Sequence, residues 1–115
     1  MGANLVYLIK FVGDMGKAIA FHRDVLGLKL RFESPFWSEF DTGPTTLALH
    51  PASPKNPAGA CQPGFRVAGL KGMYESRETL GVSFSAEPSM QRGVLIGKFL
   101  DTDGAENAIS EGAVS

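Results

Sequence analysis

The sequence contains one cysteine and no long hydrophobic run. Its one cysteine, Cys61, excludes an intrachain disulfide and a thiolate zinc cluster. No apolar run approaches the roughly 20 residues that a membrane span needs, so no membrane partner is expected. With 11 basic and 12 acidic residues the formal net charge is −1, which predicts no nucleic-acid partner. The first residues carry no basic segment typical of a secretory signal, and a cytoplasmic location is expected.

The length and composition that remain are those of one globular domain. The chain has 115 residues, 43% of them hydrophobic and 20% charged, which is an ordinary soluble mix and excludes a disordered chain. Gly-rich phosphate loops, nucleophile elbows and paired carboxylates at catalytic spacing are absent. Function must therefore be sought in the arrangement of the elements.

The first half of the chain predicts a strand, a helix and three short antiparallel strands. Residues 5–12 are rich in β-branched and aromatic types and predict a strand. Asp14 is placed to cap a helix whose apolar residues recur at helical spacing from Met15 to Leu26, and Gly27 follows as its stop. Strands are predicted over 28–32, 37–40 and 45–50, between turn residues.

The second half repeats this outline after a proline-rich segment. Residues 51–63 contain four prolines and predict a linker without regular structure. A strand over 64–67, a helix ending at Gly81, and strands over 82–85, 94–100 and 105–111 follow, the last two joined by the turn 101–104. We therefore predict a single domain of two β-α-β-β-β modules, residues 4–50 and 64–112.

Two segments resemble the vicinal-oxygen-chelate superfamily, which includes glyoxalases, bleomycin-resistance proteins and extradiol dioxygenases. They are the strand end and helix over 12–28, with its glycine stop, and the turn Asp101-Thr102-Asp103-Gly104 before the final strand. The resemblance implies an α+β fold whose two modules form a curved mixed sheet around a cleft. It also implies a homodimer, since relatives of this length usually complete their clefts with a partner subunit.

Enzymes of this superfamily bind a divalent metal at equivalent points in each module. By resemblance those points fall here on Tyr7, Leu47, Gln62 and Ala108, which offer too few good donors for a metal. We therefore expect no metal and no cofactor. A non-standard metal site from His50, Cys61 and Glu106 stays open as an alternative.

The same positions predict a ligand-binding cleft with apolar walls. If Tyr7 faces the cleft, period-two alternation brings Ile9 with it, and Leu47 brings Leu49. Trp37 and Glu39 share one face of their strand, with Trp37 either lining the cleft or packing in the sheet interior. A few polar contacts among large apolar walls are typical of small-molecule pockets. The predicted ligand-binding residues are Tyr7, Ile9, Trp37, Glu39, Leu47, Leu49, Gln62 and Ala108.

The other chemically active side chains favour structural roles. His22 lies on the apolar stripe of the first helix and is expected to donate to a backbone carbonyl rather than act as a base. His50 is expected to cap a strand end, and Cys61 to be a bystander thiol. Lys10 interrupts an apolar strand, so it either extends from an edge or reaches an acidic partner.

The function hypothesis is a metal-free protein that binds an aromatic or amphipathic small molecule in the cleft. The first alternative is a lyase, isomerase or dioxygenase of the same superfamily, with a non-standard metal or an acid-base pair drawn from Tyr7, Glu39 and His22. The second is a structural or regulatory dimer with a vestigial cleft.

Overall fold

A computed structural model describes residues 2–114 of the chain and divides it into two compact units. The N-terminal unit comprises residues 6–62, and the C-terminal unit is formed mainly by the residues from Pro63 onward. No helix within residues 2–114 is long and apolar enough to cross a membrane.

The N-terminal unit is built on four strands in the order β2-β3-β4-β1. β1 runs parallel to β4, while β2 with β3 and β3 with β4 are antiparallel, as the short turns between them predict. The strands are β1 (Ala3–Val12), β2 (Lys29–Phe32), β3 (Ser38–Asp41) and β4 (Thr46–Pro51).

The predicted first helix is present, but its second half is π-helical. Asp14 caps α1 (Met15–Ala20) by accepting from the Lys17 amide at 3.0 Å. A π-helical segment, Phe21–Val25, continues it, with the Leu26 amide bonded to the Phe21 carbonyl at 3.2 Å. Gly27 then adopts a φ of 69°, which ends the helix as its position in the sequence predicts.

One face of this sheet is covered by the helix and forms the core of the unit. Ile19 of α1 packs with Phe40 and Leu49, both fully buried, and Leu47 packs against the same cluster. Burying side chains of this size contributes roughly 1.5–3 kcal/mol each. The sheet's helix-covered face is therefore fixed by apolar packing.

The proline-rich segment folds back along β1 instead of leading straight away from it. The Ala52 amide donates to the Val12 carbonyl at 2.8 Å, and the Gly59 amide donates to the Phe11 carbonyl at 2.9 Å. The expectation of no regular structure through residue 63 is wrong, because β5 (Cys61–Val67) begins inside the predicted linker.

The C-terminal unit repeats the outline with the strand order β5-β8-β7-β6. Its remaining elements are α2 (Leu70–Glu75), α3 (Arg77–Leu80), β6 (Ser83–Gln91), β7 (Val94–Leu100) and β8 (Glu106–Glu111). The predicted second helix is thus broken at Ser76 and ends at Gly81, while β6 is much longer than predicted. β5 is parallel to β8, and β7 is antiparallel to both of its neighbours.

Carboxylates organise the connections of this unit. Asp101 accepts from the amides of Asp103 and Ala105 at 2.9 and 3.0 Å, which confirms the predicted turn and holds the Asp101 pKa below its usual value. Glu111 reaches back to α2 and accepts from the amides of Gly69 and Leu70, at 3.0 and 2.7 Å. These bonds lower the pKa of Glu111 because they favour its ionised form.

Each unit thus contains one β-α-β-β-β module, and the α+β fold class is confirmed. The second core is made from Val67, Leu70 and Ile109, as the first is made from Ile19, Phe40 and Leu49. In both units the helix that follows the first strand supplies one member of the core.

We predict that Glu111→Gln lowers the melting temperature at pH 7 and that the difference shrinks in acid. Because the carboxyl pKa is lower in the folded state, ionised Glu111 stabilises the fold above the unfolded-state pKa. This stabilisation is lost as the pH falls through the folded-state pKa. Thermal melts from pH 7 down to pH 3 check this, with Glu87→Gln on β6 as a control. A deficit in the Glu111 variant that is independent of pH contradicts the assignment.

Candidate functional site

The face of the N-terminal sheet opposite to α1 carries a cluster of aromatic and polar side chains. Tyr7 lies opposite Thr46 and Phe11 opposite His50 in the β1–β4 register, and Glu39 lies opposite Ala48 across β3 and β4. Partners in register project to the same side of a sheet. We call this surface the aromatic face; it comprises Tyr7, Ile9, Phe11, Trp37, Glu39, Thr46, Ala48 and His50, with Arg31 at its edge.

The rings of this face contact one another edge to face. The centroids of Tyr7 and Trp37 are 5.6 Å apart with an interplanar angle of 78°. Trp37 also approaches His50 at 6.3 Å, and His50 lies 5.4 Å from Phe11. Edge-to-face geometry is a favoured arrangement of aromatic pairs and orients the rings relative to one another.

Glu39 ties the polar groups of the face together. One oxygen, Oε2, accepts from the indole Nε1 of Trp37 at 2.7 Å. The other, Oε1, accepts from Nη2 of Arg31 at 3.0 Å and from its Nε at 3.3 Å. Nη2 of Arg31 also donates to the hydroxyl of Thr46. This network fixes the indole ring through its one polar atom.

His50 presents one ring nitrogen outward. Its Nδ1 lies 2.8 Å from the carbonyl oxygen of Pro51. A carbonyl can only accept, so Nδ1 carries the hydrogen and Nε2 of the neutral ring is an acceptor. The side chain is exposed at the end of β4. His50 therefore lies at a strand end, as expected, and it also belongs to the aromatic face.

Leu47 and Leu49, which were predicted to line the site with Tyr7, lie on the other face of the sheet from Tyr7. Both project to the helix-covered face, where Leu49 is fully buried against Ile19 and Phe40. The error is one residue in β4, since Thr46 and Ala48 hold the positions opposite Tyr7 and Ile9. A shift of one residue moves every side chain of a strand to the other face.

The other predicted ligand-binding residues divide into two groups. Tyr7, Ile9, Trp37 and Glu39 are brought together on the aromatic face, with Ile9 buried in its floor. Gln62 is buried near the end of the N-terminal unit, and Ala108 lies opposite Gly64 in the C-terminal unit.

His22 has the structural role that its helical position predicts. It is buried, and its Nδ1 donates to the Ala18 carbonyl at 2.7 Å. Its Nε2 lies 3.2 Å from the Nζ of Lys10, so the lysine's partner is this histidine and not the expected acidic residue. His22 lies on the helix side of the sheet, and an acid-base pair of His22 with Tyr7 or Glu39 is therefore contradicted.

The side chains at the superfamily's metal positions do not fit a metal. Leu47 points into the helix-covered core, and Ala108 has no donor atom in its side chain. Within residues 2–114, no three or more His, Cys, Asp or Glu side chains come together in a group that could hold a metal ion. The alternative set of His50, Cys61 and Glu106 does not form such a group either.

Two β-α-β-β-β modules in one short chain define a protein of the glyoxalase type. A family model described as the glyoxalase/bleomycin resistance protein/dioxygenase superfamily matches residues 4–109. The chain belongs to this superfamily. None of the curated proteins compared with it matches its sequence.

Solved structures of the same fold cover nearly the whole chain. A hypothetical protein of Bacillus halodurans C-125 is 16% identical with a TM-score of 0.81, covering 100% of this chain and 98% of its own. Methylmalonyl-CoA epimerase from Mycobacterium tuberculosis is 18% identical with a TM-score of 0.77, covering 96% and 88%. A superfamily member from Vibrio splendidus 12B01 is 15% identical with a TM-score of 0.65, covering 96% and 98%. At these identities the likeness defines the fold alone.

Arg31 and Thr46 are two of the site residues that sequence reasoning missed. The alternation of charged and apolar residues in β2 places Arg31 on the face opposite to Leu30, which packs in the core. An antiparallel neighbour with a carboxylate on the same face, Glu39, was the available signal. This signal identifies Arg31 as a site residue only when the register between β2, β3 and β4 is known.

We predict that Leu49→Ala destabilises the fold by about 2–5 kcal/mol, the usual cost of a cavity at a fully buried leucine. The indole resonance of Trp37 should stay unchanged, because Leu49 lies on the other side of the sheet. Leu8→Ala is the control: Leu8 is 41% exposed on the same side as Leu49 and should cost only about 0.5 kcal/mol. Denaturant unfolding and NMR measure both effects. A large shift of the indole resonance in the Leu49 variant, at denaturant concentrations where the protein is still folded, would show that Leu49 belongs to the site.

Proposed function

We propose that this protein is a metal-independent small-molecule-binding protein that holds an aromatic or amphipathic ligand on the aromatic face. The observation that carries the proposal is the half-buried pair of Tyr7 and Trp37, with their ring centroids 5.6 Å apart. Large rings kept partly accessible and held in place are the usual anchors of ligand sites.

The floor and the polar groups of the face support the same proposal. Ile9 and Ala48 are buried side by side in the floor of the face, so contact with a flat ligand falls to the partly exposed rings of Tyr7 and Trp37. The hydroxyl of Tyr7 and Nε2 of His50 have no hydrogen-bond partner among the residues that the structure describes. Such groups orient a ligand whose binding energy comes from the rings.

The donor set supports binding without a metal. The superfamily positions hold a leucine in the core and an alanine, so a ligand would be held by stacking and hydrogen bonds alone. An enzyme of the same superfamily is the alternative. The M. tuberculosis epimerase has the same fold. For this protein to be an enzyme, side chains of its aromatic face would have to supply the reacting group.

We predict that flat aromatic compounds bind with micromolar to millimolar dissociation constants and shift the indole resonance of Trp37. This is the only tryptophan in the sequence, so its indole N–H gives one assignable signal. Trp37→Ala should weaken binding about tenfold or more, since a buried aromatic contact contributes on the order of 1–3 kcal/mol. Phe36→Ala is the matched control, because Phe36 is adjacent in sequence but 68% exposed.

Chelator treatment separates the proposal from its alternative. Affinities should be the same with and without a chelator, and protein purified without chelator should contain no stoichiometric divalent metal by elemental analysis. Stoichiometric metal together with binding lost to the chelator would contradict the proposed function. The absence of any response across an aromatic library would favour a structural protein with a vestigial cleft.

We further propose a homodimer, as the superfamily resemblance implies. Three large apolar side chains of the first helical segment, Phe21, Val25 and Leu26, are at least half exposed, which supports a protein partner on that side. Light scattering coupled to size exclusion should give twice the 12.2 kDa chain mass. A monomer mass at high protein concentration would contradict it.

A further inference from the structure

The charge of the ligand can be inferred from the two charged side chains beside Trp37. These are Glu39, whose side chain is 19% exposed, and Arg31, whose side chain is 44% exposed. The sequence alone makes Glu39 the expected polar contact of the ligand. The structure allows the two groups to be compared by the hydrogen bonds that each still has to offer.

Glu39 is engaged at both oxygens. Oε2 accepts from the indole of Trp37, and Oε1 accepts two N–H groups of Arg31. A cationic ligand that paired with this carboxylate would compete with a guanidinium only 3.0 Å away and would meet its positive charge. A carboxylate has about four lone-pair sites, and Glu39 already accepts three hydrogen bonds.

Arg31 has hydrogen-bond donors to spare. Its Nε and Nη2 edge faces Glu39, and Nη2 also donates to Thr46. Nη1 donates to no residue within the described part of the chain, so both of its N–H groups are open. A guanidinium is planar and rigid, so the bonds made by Nε and Nη2 fix the direction of Nη1.

The guanidinium of Arg31, which carries the unoccupied Nη1 group, lies close to the indole ring of Trp37. A single carboxylate connects the two groups, since Trp37 Nε1 is 2.7 Å from one oxygen of Glu39 and Arg31 Nη2 is 3.0 Å from the other. A ligand whose ring stacks on Trp37 therefore needs only a short substituent to reach Nη1. Thr46 is buried and accepts a hydrogen bond from Nη2 of Arg31, which holds the guanidinium at the surface of the sheet.

We propose that the ligand is an aromatic carboxylate, or an anion of the same geometry, whose ring lies against Trp37 and Tyr7 and whose acid group accepts from Nη1 of Arg31. This inference rests on the proposed function, because it names the ligand class of the same site. Arg31 is then a specificity-determining residue: Glu39 holds it in place on one edge, and its other edge reads the negative charge.

The test is a matched set of three naphthalene compounds at pH 7: naphthoate, naphthylmethanol and naphthylmethylammonium. They have the same ring and nearly the same size, and they differ in charge. Each is titrated into the wild-type protein while the indole N–H resonance of Trp37 is followed. Naphthoate should bind about tenfold more tightly than the alcohol, which corresponds to one charge-assisted hydrogen bond at a partly exposed site. The amine should bind more weakly than the alcohol.

Salt and variants check the origin of the preference. Raising the salt concentration should weaken naphthoate binding but not binding of the alcohol, because exposed charges are screened. Arg31→Met should remove the advantage of naphthoate over the alcohol. Lys71→Met is the matched control: it removes the same charge from an exposed site on α2 and should leave all three affinities unchanged.

Two outcomes overturn the inference while leaving the proposed function intact. Equal affinities for the three compounds would show that the site does not read charge, and tightest binding by the amine would assign the contact to Glu39. If none of the three compounds binds, the proposed function fails together with the inference. The wild-type series decides these points even if Arg31→Met does not fold.

Discussion

The packing of α1 against one face of the N-terminal sheet is the constraint on which the candidate site depends. Phe40 and Leu49 are fully buried against Ile19, and this packing removes their apolar area from water. Once these residues face the helix, strict alternation along β3 and β4 sends Glu39 and Ala48 to the other face. The position of the aromatic face is thus a consequence of the core.

The carboxylate of Glu39 gives that face its internal order. Tryptophan at a partly accessible position needs a partner for its N–H, and Glu39 supplies one at 2.7 Å. The same carboxylate fixes Arg31, so a ring and a cation are oriented by one group. A surface salt bridge between Arg31 and Glu39 contributes little to stability when it is this exposed. We therefore interpret it as a device for positioning the arginine rather than for holding the fold together.

The sequence predicted the elements of the fold far better than the faces of its strands. Helical spacing, the Asp14 cap and Gly27 locate the first helix because these signals act within a few residues. The face of β4 could not be obtained in this way. In the segment TTLALHP, both alternating sets contain apolar residues, Leu47 and Leu49 in one and Ala48 in the other, and only the parallel pairing with β1 shows that Leu47 belongs to the core.

The same limit explains the interruptions that were not predicted. The π-helical segment at Phe21–Val25 keeps a continuous apolar pattern, so periodicity does not distinguish it from an α-helix. Its effect becomes visible in three dimensions, where buried His22 bonds both the Ala18 carbonyl and Lys10 of β1. Polar groups at such a depth must be paired, and this pairing joins the helix to a strand, which helical periodicity alone does not show.

Comparison of the two modules indicates why the site belongs to the first. Both retain a helix-covered core of three fully or nearly fully buried residues, which folding requires of each. The opposite face differs: in the second module Gly64 pairs with Ala108 and Arg66 with Ser110, where the first has Tyr7, Ile9 and Phe11 along a single strand. Small side chains give a ligand little area to stack on, so the binding energy available from aromatic contact is concentrated in the N-terminal unit. Among the described residues, both modules thus have a helix-covered core, while the aromatic face that we propose as a ligand site belongs to the first.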